Sequence, residues 1–209
     1  MHFPLLTIFI TFVIATNIAI KMSKSKNKNT VDDFWEKESK ANSSRKKDIN
    51  SLDYIKVPVD KLPLNMENNS EIDNIKTTII ELTDKTILNL TGISNTELKM
   101  EYGPANLQFL IEADENFTTL VRLLNALGDR FYQAGRLDEC RKILEYAVFI
   151  GTDISISYET LANCYKDMDL EDKIPELIRQ AKTLNSLSRA KIIRTLKSSI
   201  GEKEDFDTD

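Results

Sequence analysis

Apolar positions along this chain come in three different rhythms. Residues 3–20, FPLLTIFITFVIATNIAI, form an unbroken run without a charge. At about 1.5 Å per residue, a helix of that length spans roughly 27 Å, close to one hydrocarbon core. Residues 52–64, LDYIKVPVDKLPL, alternate at Ile55, Val57 and Val59 and carry two prolines. That pattern predicts an extended arm, at most one short edge strand. From residue 70 onward the spacing turns to three and four, the mark of amphipathic helices.

Ser70 reads as an N-cap for a helix through Ile72, Ile75, Ile79 and Leu82 to about Asn89, closed by Gly92. Residues 91–103, TGISNTELKMEYG, lie between two glycines and predict a short helix from Asn95 or Thr96 to Met100. A connector and a binding loop are both consistent with this segment. Pro104 opens a turn, and Asn116 precedes a helix expected from Phe117 to Ala134.

Beyond this point the pattern repeats. Leu124, Leu127, Phe131, Leu144 and Ala147 recur as Tyr158, Leu161, Tyr165, Ile178 and Ala181, every pair separated by the same step along the chain. Gly128 and its counterpart Ala162 are small, as a close approach of two helices requires. Residues 188–200 carry Ile192, Ile193, Leu196 and Ile200 on one face and Arg189, Lys191, Arg194 and Lys197 on the other, which reads as a solvating end helix.

The 34-residue period resembles that of the tetratricopeptide repeat. Its first copy supplies Leu124, Leu127-Gly128, Phe131, Cys140, Leu144, Ala147 and Thr152. Its second supplies Tyr158, Leu161-Ala162, Tyr165, Ile174, Ile178, Ala181 and Ser186. The closing proline is absent from both, and Cys140 and Ile174 stand where alanine is usual. An ordinary pair of antiparallel helical hairpins is the plainer alternative. The resemblance implies that a protein or peptide lies in a groove lined by the first helix of each unit. The residues so placed are Arg122, Asn125, Asp129, Tyr132, Ile156, Glu159, Asn163 and Lys166; ordinary solvated helix surface is the alternative for each. Only Asn163 matches the family's carboxylate clamp, so no clamp is expected. The blocks FWEKESKAN, RKKD and LNLTGISNTELK also resemble a group of small single-pass bacterial membrane proteins with a helical-repeat end, which implies an architecture and no activity.

Composition narrows the picture. Hydrophobic residues are 41% of 209, but residues 21–70 are poor in aromatics and rich in Lys, Asn, Ser and Asp, and the net charge of -5 gives nucleic acid no case as a partner. His2 is the only histidine, which removes histidine triads and most histidine acid–base chemistry. No phosphate loop, CxxC or HExxH is present, so neither an enzyme nor a cofactor, metal or small-molecule substrate is expected. Cys140 and Cys164 fall on apolar helix faces and read as buried free thiols, a disulfide being the alternative.

Lysines 21, 24, 26 and 28 follow the apolar run, and no basic residue precedes Phe3. These flanks favour an uncleaved membrane anchor over a signal peptide and place the C-terminal body in the cytoplasm. Beyond the lysines, Asp32 or Asp33 caps a helix carrying Phe34 and Trp35, an aromatic pair suited either to the bilayer interface or to the folded domain. Arg45, Lys46 and Lys47 form a solvated or membrane-facing basic triplet. The expected architecture is all-α: an anchor at 1–20, a polar linker and arm at 21–69, a helical lead-in at 70–116, repeats with a capping helix at 117–200 and an acidic tail at 201–209. The expected role is a membrane-tethered scaffold or adaptor; the first rival is an accessory subunit that uses its anchor, with Asn17, Ala15 and Ala19, as an interface, and the second is an enzyme of unrecognised type that uses residues 91–103.

Overall fold

The computed structural model describes residues 9, 12, 13, 15, 16, 31–67 and 69–201. Among these there is no strand, and the fold is all-α. No helix among the described residues is long and apolar enough to cross a membrane. Most of the expected anchor, and the acidic tail from residue 202, lie outside the described residues; the five anchor residues that are described are helical.

The chain forms two compact units that cut across its order: Met1–Asp48 with Ser94–Leu107, and Ile49–Ile93 with Gln108–Asp209. In the first, helix α1 (residues 31–42) accompanies α3 (Asn95–Tyr102). Ser94 and Glu97 close a reciprocal capping box at the start of α3, so residues 91–103 are mostly helix. Glu38 of α1 holds Lys99 and accepts from Thr96 Oγ1 at 2.8 Å. Gly103, at φ 84°, lets residues 45–46 pass, since a Cβ there would lie 2.6 Å from the Arg45 carbonyl oxygen.

In the second unit, residues 52–64 include one 3₁₀ turn, Val59–Lys61, with bends at Leu52, Leu62 and Pro63, and no strand. Helix α2 (Ser70–Leu82) is capped by Asn69, one residue earlier than the pattern predicts, because the Asn69 side chain accepts from the amides of Glu71 and Ile72. It ends at Leu82, not near Asn89. Thr83 and Asp84 turn the chain, and residues 86–90 run extended with Ile87, Leu88 and Leu90 buried.

That extended run explains a second difference. Helix α4 spans Leu107–Gln133, beginning well before the expected Phe117. Asn116 suggests a helix start in the sequence, yet here it and Asp114 serve the run's backbone. Asn116 Nδ2 donates to the Thr86 carbonyl at 2.9 Å, and the Leu90 amide donates to Asp114 Oδ1 at 2.9 Å. Buried polar groups of an extended segment must find partners, and these two side chains supply them.

After α4 come α5 (Leu137–Phe149), α6 (Ser155–Asp167), α7 (Ile174–Lys182) and α8 (Arg189–Ser199). α6 packs on α5, and α8 packs on both α6 and α7. The period of the sequence reappears in the backbone. The Arg136 amide donates to the Phe131 carbonyl at 2.9 Å, and the Leu170 amide to that of Tyr165 at 2.7 Å. Gly135 at φ 71° and Asp169 at φ 56° occupy the same left-handed place in these two turns. Further on, the hydroxyl of Thr152 accepts from the Ile154 amide at 3.3 Å, and that of Ser186 from the Ser188 amide at 3.2 Å.

Nothing lies within 4 Å of a Cβ built on Gly135, so Gly135→Ala isolates the backbone conformation. It is expected to cost about 1 kcal/mol in urea unfolding, the penalty of a left-handed alanine. No loss would mean that the turn relaxes.

Candidate functional site

The eight expected groove residues lie on α4 and α6, on the sides left over once the core has been packed. On α4 the core takes Leu120, Val121, Leu124, Leu127, Gly128 and Phe131, and on α6 Tyr158, Leu161, Ala162 and Tyr165. Gly128 permits the close approach: a Cβ there would lie 2.5 Å from Leu144 Cδ2 of α5.

Three hydrogen bonds run across the row of helices. Ser157 Oγ donates to Asn125 Oδ1 at 2.8 Å and Tyr132 OH to Asp167 Oδ2 at 2.7 Å, both joining α6 to α4. Lys166 Nζ donates to the Ser199 carbonyl of α8 at 2.5 Å. Tyr132 and Lys166 stand 34 residues apart in the chain, and each braces its helix to the next. The bond to Asp167, with burial second, pushes the Tyr132 phenol up to about 12 and keeps it neutral at ordinary pH.

The eight residues thus divide by what they hold. Asn125, Tyr132 and Lys166 brace neighbouring helices, and Asp129 accepts from Gln133 Nε2 at 2.7 Å within α4. Arg122, Ile156 and Glu159 are exposed and Asn163 is half-buried. Among the described residues none of these four has a hydrogen-bond or ion-pair partner.

A further row escaped the sequence reading. Because α8 packs on α6, it places Ile193, Lys197 and Ile200, all half-buried, one repeat period beyond Glu159, Asn163 and Lys166. The spacing that found the first two rows reaches the third, but α8's basic face read as a solvating end.

Among the recesses elsewhere on this unit, two are lined by tyrosines. One of about 300 Å³ is lined by Glu145, Leu161, Tyr165, Lys173 and Leu177 among others. There Tyr165 OH donates to Glu145 Oε1 at 3.0 Å and Lys173 Nζ to the same oxygen at 3.3 Å. Burial, and then the Glu145 charge, push the Tyr165 phenol upward. The other, of about 460 Å³, is bordered by Tyr54, Ile55, Tyr146 and Phe149. Phe149 is exposed and stacks on Tyr146 with ring centroids 6.5 Å apart.

Cys140 and Cys164 are free and fully buried. Cys164 Sγ donates to the Leu137 carbonyl at 3.2 Å. The hydrogen bond to Cys164 and burial push the Cys140 thiol upward, so it stays protonated and unreactive. Among the described residues no three histidine, cysteine, aspartate or glutamate side chains cluster to hold a metal ion. What the α4–α6–α8 face offers chemically is recognition: an unpaired acid, an unpaired base, an amide and an apolar side chain on a braced helical surface.

No protein-family model matches the chain, and no curated protein or solved structure matches it either.

Proposed function

We propose that the chain is a membrane-tethered interaction module whose tetratricopeptide-like helices bind a protein or peptide along the face of α4, α6 and α8. The observation that carries this reading is the recurrence, one period apart, of the same turn, with its amide-to-carbonyl bond from 136 to 131 and from 170 to 165 and its left-handed residue at 135 and 169. A repeat in backbone geometry, and not in hydrophobic spacing alone, is what a stacked array of helix pairs produces. The membrane half rests on the uncharged run at 3–20 and the lysines behind it. The body stands on the cytoplasmic side, and no catalytic step is assigned to it.

The test is site-specific photo-cross-linking in cells, with the reactive residue at Ile156 or Glu159 on the face, and at Lys142 or Arg179 away from it. All four positions are exposed, so none of the replacements disturbs the core. Cross-linked species are expected from the first pair and not from the second. Equal labelling from both pairs would remove the groove as the binding surface. Protease added to protoplasts carrying a C-terminal tag tests the orientation: a protected tag supports it, and a digested tag reverses it.

A further inference from the structure

α1 carries one stripe whose two ends are used differently. By helical spacing Val31, Phe34, Trp35, Glu38 and Ala41 share a side. At the C-terminal end this side is occupied: Ala41 is fully buried, and Glu38 holds Lys99 and Thr96 of α3. At the N-terminal end it is exposed. Phe34 is 52% exposed and Trp35 63%, Val31 stands beside them in water, and the two rings meet edge to face at 5.5 Å. The opposite side of the same turns carries Asp32, Asp33 and Glu36, the last paired with Lys40 at 2.6 Å.

We infer that α1 lies on an anionic lipid surface, with Val31, Phe34 and Trp35 in the bilayer interface and the three carboxylates turned to water. The inference rests on the reading of residues 3–20 as an anchor. Large apolar side chains opposed to a charged face suit a helix lying in the interface, where Trp and Phe rings sit at headgroup level. Two arguments select lipid over protein as the occupant. The first is the tether: residues 21–30 reach at most about 35 Å when fully extended, so an anchored chain keeps α1 close to the bilayer. The second is charge. Four lysines in that stretch attract anionic headgroups by about 1 kcal/mol each near the surface.

Trp35 is the chain's only tryptophan, so its emission reports this site without a label. The full-length chain is reconstituted into vesicles of phosphatidylcholine and phosphatidylglycerol, with and without acyl-brominated lipid. Trp35 is expected to emit at shorter wavelength than in the double variant Val31→Asp/Phe34→Asp, and to lose most of its emission to the brominated lipid. The double variant is expected to escape that quenching while still resisting carbonate extraction, since both substitutions are at exposed positions. Quenching is expected to weaken in vesicles of phosphatidylcholine alone. A chain that resists carbonate while Trp35 stays open to iodide and unquenched by brominated lipid overturns the inference and spares the anchor. Trp35 shielded from iodide but untouched by brominated lipid also overturns it, and assigns the patch to a protein. Release by carbonate overturns the anchor reading and this inference together.

Discussion

Glu67→Gln is expected to cost about 3 kcal/mol of stability, because it strands a buried ammonium. Lys76 sits on the core side of α2 between Ile72 and Ile79 and is 0% exposed. Its Nζ donates to the Asn65 carbonyl at 2.6 Å and to Glu67, and lies 5.4 Å from the centre of the Phe131 ring. Arg136 forks onto the same carboxylate, reaching Glu67 Oε1 at 2.9 Å, and stands 4.4 Å over the same ring. One carboxylate therefore serves two cations. Arg136 keeps a second partner in Glu139 at 2.8 Å, whereas Lys76 would be left with a carbonyl and a ring face. Lys76→Met removes the charge together with its desolvation cost and is expected to be close to neutral. Equal losses from Glu67→Gln and Lys76→Met would show that the pair itself, and not the stranded charge, sets the cost.

The same cluster makes stability depend on acid. Hydrogen bonding to Arg136, then to Lys76, holds the Glu67 carboxyl at about 2, against an ordinary value of 4.5. The folded value lies below the unfolded one, so the contribution is complete above pH 4.5 and is lost as pH falls toward 2. Glu67 is still 29% exposed, and solvent screening reduces the contribution to on the order of 2 kcal/mol. Urea midpoints of the wild type are expected to fall across that window, and those of Glu67→Gln to fall less. Parallel profiles would assign the acid sensitivity to other carboxylates.

What was legible in the sequence is what depends on neighbours in the chain. The turn at Gly135, the small Gly128 and the helices over residues 137–149, 155–167 and 189–199 all follow from local spacing of apolar positions. The errors arose where distant segments meet. Asn116 looks like a helix start until residues 86–90 bring backbone groups that it and Asp114 must serve. Ile87 and Leu88 extend a helical apolar pattern, but Thr83 and Asp84 stop the helix first. The candidate face was only half legible for the same reason. Spacing puts Asn125, Tyr132 and Lys166 on the outside, while their partners Ser157, Asp167 and the Ser199 carbonyl are supplied by the neighbouring helix. No periodicity announces Glu67, which is 69 residues from Arg136 in the chain and lies in a polar loop.

Phe131→Ala is expected to cost about 4 kcal/mol, the largest loss among single core truncations in this unit. Phe131 is fully buried near the end of α4. Truncation removes a large apolar side chain and leaves a cavity between neighbours that are themselves close-packed. It also takes away the ring face beneath both Lys76 and Arg136. Phe131→Leu separates the two effects: it keeps most of the volume and loses the ring, so about 1–2 kcal/mol is expected if cavity formation dominates. The ring 34 residues further on, Tyr165, carries a single cation, with Lys173 at 5.6 Å, and its hydroxyl bonds Glu145. Tyr165→Phe should therefore cost only about 1 kcal/mol, the value of one hydrogen bond. Urea unfolding followed by helical circular dichroism measures all three. If Phe131→Leu is as damaging as Phe131→Ala, the ring face holds the two cations, and the double variant Glu67→Gln/Phe131→Leu should then lose less than the sum of its parts. Groups that stabilise the same buried ammonium cannot each be removed at full cost twice.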